Sequence, residues 1–415
     1  MARMEPTRIA ILGAGPMGLE AALYAASLNL PFTVYEAGRA GEHLQRWGHV
    51  RLFSPFSMNS TPLGRKHMRS VVGNSELPGE SDLLSGREHL AAYIEPLAKS
   101  PALRERIQMQ TRVLQVGRSG YLKEESPGDE RRGRQPFRLL LRTADGKERL
   151  EEADVVLDCT GTYGRHRTLG EGGILAAGEL AAERHIAYGL EDVTGDRRGH
   201  YADKTTIVVG AGYSAATTVC NLATLAEKHP STWVVWLARG SATQPITRVV
   251  NDTLRERDRL AVRANTLATR PDACVEFHPR VSIDAVDCSG PDGPFAVRGR
   301  RDGKPMKWEG DRLIANVGYS PDERIYRELQ VHECYATLGP MALAAALQKH
   351  AGGDCLTIPA QGAATLRCPE PNFFVLGSKS YGRNSSFLMR TGCAQVRDVF
   401  TLITGRPDLD LYGAS

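Results

Sequence analysis

Arg8-Ile-Ala-Ile-Leu-Gly13-Ala-Gly15-Pro16-Met17-Gly18 reads as a short strand running straight into a glycine turn. The apolar run at 8–12 does not alternate with polar residues, which suits a parallel strand covered on both faces. Helical spacing follows from about Pro16 to Leu28, with Leu19, Ala22, Leu23 and Ala26 on one face. Phe32-Thr-Val-Tyr35 is the next strand, closed by Glu36 and Ala37. Strand, glycine turn, helix, strand and acid in that order form a dinucleotide site. Gly13 allows the tight turn, Gly15 leaves room for a pyrophosphate, and Gly18 lets helix and strand approach. The helix start offers free N–H groups and a positive dipole end to phosphate. Glu36 is placed to accept hydrogen bonds from ribose hydroxyls.

The pattern recurs later in the chain. Lys204-Thr-Thr-Ile-Val-Val209 is a strand, and Gly210-Ala-Gly212-Tyr213-Ser214-Ala215 is the turn, with Ala in place of the third glycine. A helix carries Thr217 to about Ala226, and Trp233-Val-Val-Trp-Leu237 is the second strand. No acid occurs between Lys228 and Asn251; Arg239 stands just past the strand and Arg248 further on. A carboxylate there would repel a 2′-phosphate, whereas Arg pairs with one bidentately. The expectation is a resident flavin, as FAD, at the first turn and soluble NADPH at the second. Two such sites in one chain point to hydride passing from one cofactor to the other.

The bulk numbers permit this and exclude other classes. With 415 residues there is room for two or three domains, and 41% hydrophobic with 24% charged residues is ordinary for a globular protein. The net charge of +4 is spread over mixed charges, with no basic stripe interleaved with aromatics, so no nucleic acid partner is expected. The densest basic run, Arg131-Arg132-Gly133-Arg134, reads as a solvated hairpin or loop. No apolar stretch reaches membrane-spanning length. The eight cysteines include no Cys-x-x-Cys pair and read as free thiols in a reducing cytoplasm.

These motifs together resemble the flavoproteins with two dinucleotide-binding domains, both glutathione-reductase-like reductases and flavin-containing monooxygenases. The Gly13–Gly18 turn with Glu36 is similar to their FAD fingerprint, and Gly210–Ala215 to their NADP fingerprint. Asp154-Val-Val-Leu-Asp-Cys-Thr160-Gly161 resembles the strand and T-G turn where the chain leaves the first FAD segment. Asp311-Arg-Leu-Ile-Ala-Asn-Val-Gly318-Tyr319-Ser-Pro321 resembles the return segment. The implied fold is α/β: a three-layer Rossmann-like FAD domain in two pieces, 1–162 and 311–415. A Rossmann-like nicotinamide domain at 200–310 is inserted after a loop-rich connection at 163–199. After Gly377 the family's ribityl-binding Asp is missing, which leaves Ser378, a nearby Ser or the backbone for that contact. The resemblance also implies a helix from about Thr391 whose first amides, those of Thr391 and Gly392, face the flavin pyrimidine edge.

Reduced flavin passes electrons to an acceptor or reacts with oxygen. The family's redox cysteine pairs are absent here, which disfavours an internal disulfide. The monooxygenases' linker motif appears only in diverged form, with Gly178, His185 and Tyr188 in order but not at the family spacing. His185 reads as a surface or capping histidine. Between the first unit and the T-G turn, Trp47 and Phe53 are candidates to wall the flavin, and Ser57 and Asn59 to reach its N5 edge or a peroxide. Arg383, Asn384 and Arg390 are candidate anion contacts. The favoured expectation is an FAD- and NADPH-dependent monooxygenase that oxygenates a small-molecule substrate with molecular oxygen through a flavin C4a-hydroperoxide. The alternatives are a reductase of a quinone, ferredoxin or other acceptor, and a flavin or nicotinamide sensor without turnover. No metal site is expected, and a homodimer is compatible with the chain.

Overall fold

The computed structural model describes residues 7–73, 77–270, 274–290, 293–350 and 352–413. Strand β1 (Ile9–Leu12) runs into the helix Pro16–Ser27, and β2 (Phe32–Tyr35) follows. Beyond a helical stretch come β3 (Ile107–Gln108), β4 (Thr111–Arg118), β5 (Phe137–Thr143), β6 (Glu148–Ala153) and β7 (Val155–Asp158). The order then repeats. It runs β8 (Thr205–Val209), helix Tyr213–Ala226, β9 (Trp233–Leu237), helix Arg255–Thr269 and β10 (Val275–His278). Next are β11 (Val281–Cys288), β12 (Phe295–Arg301), β13 (Lys304–Gly310) and β14 (Arg312–Ala315). Strand β15 (Phe373–Val375) and the helix Met389–Thr404 complete the described elements. The chain divides into two compact units. The first takes the residues up to Gly48, then Ser54–Arg165, then Ser320 onward; the second takes His49–Phe53 and His166–Tyr319.

In the first unit a parallel sheet has the order β15-β7-β1-β2-β3. Alternate residues feed two cores, as the two-residue period of a strand requires. Ile9, Ile11, Val155 and Leu157 face the helices Pro16–Ser27 and Met389–Thr404, whose Leu19, Leu23, Val396 and Phe400 are buried with them. Ala10, Leu12 and Val156 face the antiparallel sheet β4-β5-β6. Side chains such as Phe400, fully buried and stacked at 4.9 Å on Tyr24, contribute roughly 1.5–3 kcal/mol each. The basic run before β5 departs from expectation. Arg131 is exposed, but the Arg132 side chain is completely buried and donates to Glu370 Oε2 at 2.8 Å, while Arg118 donates to Oε1 at 2.9 Å. Glu370 is far away in sequence, so the pairing that draws this loop inward cannot be read locally.

The second unit repeats the first down to single hydrogen bonds. Its parallel sheet is β10-β9-β8-β14, with an antiparallel sheet β11-β12-β13 on one face. Gly13 N donates to Tyr35 O, and Gly210 N to Leu237 O. Glu36 N donates to Gln108 O, and Ala238 N to His278 O. Thr111 N donates to Glu36 O, and Val281 N to Ala238 O. A residue of positive φ precedes each antiparallel sheet, Gln110 at 52° and Arg280 at 57°. Both first strands carry a bulge, at Val113/Gln115 and at Ile283/Ala285. The connecting stretch after Arg165 is more structured than expected. Ala187 N donates to Leu313 O and Ala187 O accepts from Ala315 N, which places residue 187 as an edge beside β14. Glu179 is buried there and accepts from Leu169 N, Ala176 N and the Tyr188 hydroxyl.

One core residue of the helix Pro16–Ser27 is an acid. Glu20 lies within the helix Pro16–Ser27, is 3% exposed, and accepts from the Thr61 hydroxyl at 2.9 Å. No cation pairs with it among the described residues. Burial raises its carboxyl from 4.5 to about 7. The folded protein therefore holds a proton here up to about pH 7, whereas the unfolded chain releases it near 4.5. Stability from this group is full below pH 4.5 and is lost as the pH rises to about 7. Glu20→Gln removes the loss while keeping the acceptor for Thr61. It should stabilise the protein at pH 8 by about 3 kcal/mol and leave it nearly unchanged at pH 4.5; equal denaturation midpoints at pH 8 would contradict this.

Candidate functional site

In the first unit the candidate site forms where β1, β7 and β15 end. Gly13 has φ +95°, and a Cβ there would lie 3.0 Å from Cys159 O. A Cβ on Gly18 would lie 1.9 Å from Gly13 O, so only glycine lets the helix begin this close to the turn. Gly15 is different: nothing lies within 4 Å of its Cβ position. It sits at the start of the helix with Pro16 next, and no side chain caps the first amides. Glu36 is already oriented, its Oε2 accepting from Ala14 N and its Oε1 from Gly38 N, both at 2.7 Å. Ala37 beside it is exposed.

The other first-unit residues converge on the same end of the sheet. Met17 packs against Gly377 and Gly392; Cβ atoms there would lie 2.9 Å and 2.2 Å from its side chain. Gly161 has φ +69°, and its Cβ position is 3.6 Å from Ser378 Oγ. Thr160 donates from both its amide and its hydroxyl to Asp158 Oδ1. Trp47 lies against Gly86 and faces Tyr163, with ring centroids 6.3 Å apart. Its indole Nε1 and His43 Nδ1 are buried without a partner among the described residues.

One expectation changes. The amides of Thr391 and Gly392 both donate to Leu388 O, because they already belong to the first turn. The helix starts at Met389, so the open amides are those of Met389 and Arg390. Asn59 is buried, its Oδ1 accepting from the Ser54 hydroxyl and its Nδ2 donating to the Ser54 carbonyl. Ser57, in the same short helix Phe56–Asn59, donates its amide to Glu80 O.

The second unit has a matching turn with different chemistry. Gly210 has φ +136°, and a Cβ would lie 2.3 Å from Asn316 O. Ala215 in the third position is fully buried and tolerated, its Cβ 3.5 Å from the Gly210 Cβ position. Gly212 faces open space, and the helix starts at Tyr213, earlier than its apolar spacing indicates, again without a side-chain cap. Ser214 is exposed, and the Tyr213 ring meets Phe53 at 5.6 Å. Gly318 has φ +86° after β14 and lies beside Arg167. Where Glu36 stands in the first unit, the shared hydrogen-bond register puts Ala238 in the second. Arg239, which follows, is exposed and pairs with no acid among the described residues. Arg248 instead pairs with Asp258 at 2.8 Å.

The sequence profile of the family described as "Pyridine nucleotide-disulphide oxidoreductase" matches residues 7–335. The chain belongs to this family. No curated protein matches the sequence. Its fold is similar to bacillithiol disulfide reductase from Bacillus cereus, with TM-score 0.69 and 17% identity, covering 97% of this chain and 100% of the other. It is also similar to an FAD-bound cadaverine monooxygenase from Erwinia amylovora, with TM-score 0.63, 13% identity and 97% and 95% coverage. The ornithine hydroxylase from Pseudomonas aeruginosa has TM-score 0.62, 13% identity and 96% and 99% coverage. At these identities the likenesses establish the fold, and the fold is shared by reductases and monooxygenases alike.

As a pyridine nucleotide-disulphide oxidoreductase family member, the chain is an FAD-dependent oxidoreductase. Its first unit fits the cofactor on its own geometry, through the open approach at Gly15, the uncapped helix start, and the unpartnered Trp47 Nε1 and His43 Nδ1. Sequence reading missed Met17 as the residue wedged between two glycines, and it missed Gln395, whose Oε1 accepts from Gly377 N at 2.8 Å. Neither has a local signal: the glycines that hold Met17 come from the other end of the chain, and Gln395 meets Gly377 from the next helix, 18 residues on. No helix among the described residues is long and apolar enough to cross a membrane.

The two glycines separate close packing from ligand access. Gly18→Ala should lower stability by about 2 kcal/mol, because overpacking displaces the turn. Gly15→Ala should leave the Tm of cofactor-free protein unchanged. Thermal denaturation of the two variants checks this, and equal losses would show that Gly15 is a packing position as well.

Proposed function

We propose that the protein is an FAD-dependent, NADPH-using monooxygenase of a small molecule, with FAD held by the first unit and NADPH by the second. The observation that carries the reading is the contrast at one shared register position. In the first unit Glu36 is held by two backbone amides, and its carboxylate would accept from the ribose hydroxyls of FAD; in the second, Ala238 takes its place and Arg239 follows, exposed and paired with no acid among the described residues. Removing the acid and supplying a cation suits a 2′-phosphate. The remaining candidate contacts divide in the same way. Gly13, Gly15, Pro16, Met17, Gly18, Thr160, Gly161, Gly377 and Ser378 serve FAD, while Gly210, Gly212, Tyr213, Ser214, Ala215 and Gly318 serve NADPH. FAD, when bound, supplies the acceptor for the nicotinamide hydride and the route by which electrons leave.

Dioxygen is favoured over an internal disulfide as the electron acceptor. Among the described residues no disulfide is formed. Cys159, beside the Gly13 turn, and Cys393 are buried with their thiols pushed up by desolvation, the opposite of what thiolate exchange needs.

Purified protein should be yellow or take up added FAD; colourless protein that binds none would remove the central claim. NADPH oxidation should depend on oxygen in the presence of substrate, whereas oxygen-insensitive reduction of a quinone or dye would replace the monooxygenase with a reductase. Arg239→Ala should raise the KM for NADPH on the order of tenfold while sparing NADH, as expected for one lost charged hydrogen bond. Equal effects on both cofactors would take Arg239 out of the phosphate site.

A further inference from the structure

Beneath the Thr160–Gly161 turn lies an ion pair with no access to water. Lys379 Nζ donates to Asp158 Oδ2 at 2.6 Å, and both side chains are fully buried. Nζ also donates to Thr160 Oγ1 at 3.0 Å, and that hydroxyl donates in turn to Asp158 Oδ1 at 2.6 Å. The Lys379 ammonium stands 4.9 Å from the centre of the Tyr326 ring. Asp158 ends β7, and Lys379 lies in the single 3₁₀ turn Gly377–Tyr381 after β15. The pair therefore ties together the two segments that bring Gly161 and Ser378 side by side.

Stability alone does not account for such a pair. Apolar residues of similar volume in place of a buried ion pair are often neutral or stabilising, because desolvating two charges offsets their attraction. The duplicated unit supplies the comparison. Leu12 pairs with Asp158 in the first unit and Val209 with Ala315 in the second, so Ala315 is the counterpart of Asp158 and Val317 that of Thr160. Neither Ala315 nor Val317 carries a charge. The unit assigned the resident cofactor has this ion pair, and the matched positions of the unit assigned a cofactor that must come and go hold apolar residues.

We propose that Lys379 is a positioning residue for the flavin: through Asp158 and Thr160 it fixes the Thr160–Gly161 turn against Ser378, whose hydroxyl takes the polar contact with the flavin side chain in place of a carboxylate after Gly377. This rests on the first unit holding FAD. Lys379 touches no cofactor itself; it acts through the turn and through Ser378.

The test is FAD binding to cofactor-free protein, followed by flavin fluorescence, with Tm measured in parallel. Ser378→Ala should weaken FAD binding about tenfold and leave the Tm of the cofactor-free protein unchanged. Lys379→Met leaves Asp158 buried and unpaired and should lower both. The double variant Lys379→Met with Asp158→Asn removes both charges; it should recover Tm while FAD binding stays at least tenfold weaker than in the parent. Wild-type FAD binding in the double variant or in Ser378→Ala would overturn the proposal. Failure of the parent protein to bind FAD would instead overturn the cofactor assignment on which it rests.

Discussion

The architecture depends on one close approach of backbone to backbone. Where β1 turns into its helix, a single methyl group on Gly18 would lie 1.9 Å from the carbonyl of Gly13, and one on Gly13 would press on Cys159. Three segments thus meet with no side chain between them. The helix start is thereby brought to the end of the strand, and its first amides open onto the space in front of Gly15. An open helix start is the by-product of that packing, and uncapped amides with the helix dipole favour an anion wherever a turn leaves room.

The second unit shows how much of this belongs to the architecture. The hydrogen bonds that close the turn, the positive-φ residue before the antiparallel sheet and the bulge within it all recur. Side chains at matched positions do not. Glu36 becomes Ala238, Ala37 becomes Arg239, Asp158 becomes Ala315 and Thr160 becomes Val317. Backbone geometry has been kept while charge has been moved, and charge distinguishes a ribose hydroxyl from a phosphate. A shared fold with reductases and monooxygenases is consistent with this division, because the chemistry rests with the cofactor and the protein supplies orientation and electrostatics.

Three buried acids of the first unit are accommodated in different ways. Glu370 gathers Arg118 and Arg132 out of water, Asp158 meets Lys379, and Glu20 has no cation partner among the described residues. The first two are satisfied by partners that arrive from opposite ends of the chain. Glu20 is balanced by protonation instead, at the expense of stability above neutral pH.

By itself, the sequence determined the two strand–turn–helix–strand units, because glycine spacing, apolar runs and helical periodicity are local and each has a steric cause. It also determined the absence of an acid after the second unit's Trp233–Leu237 strand, which is a matter of reading residues in order. Only the tertiary structure decided which residue faces which. It brought Lys379 to Asp158, wedged Met17 between Gly377 and Gly392, tied Asn59 to Ser54, and engaged the Thr391 and Gly392 amides with Leu388. It also drew Arg132, which local composition places in water, into the core. The pairings of Lys379, Met17 and Arg132 depend on closing loops of hundreds of residues and on desolvation in a packed interior, and neither leaves a periodic trace in the chain.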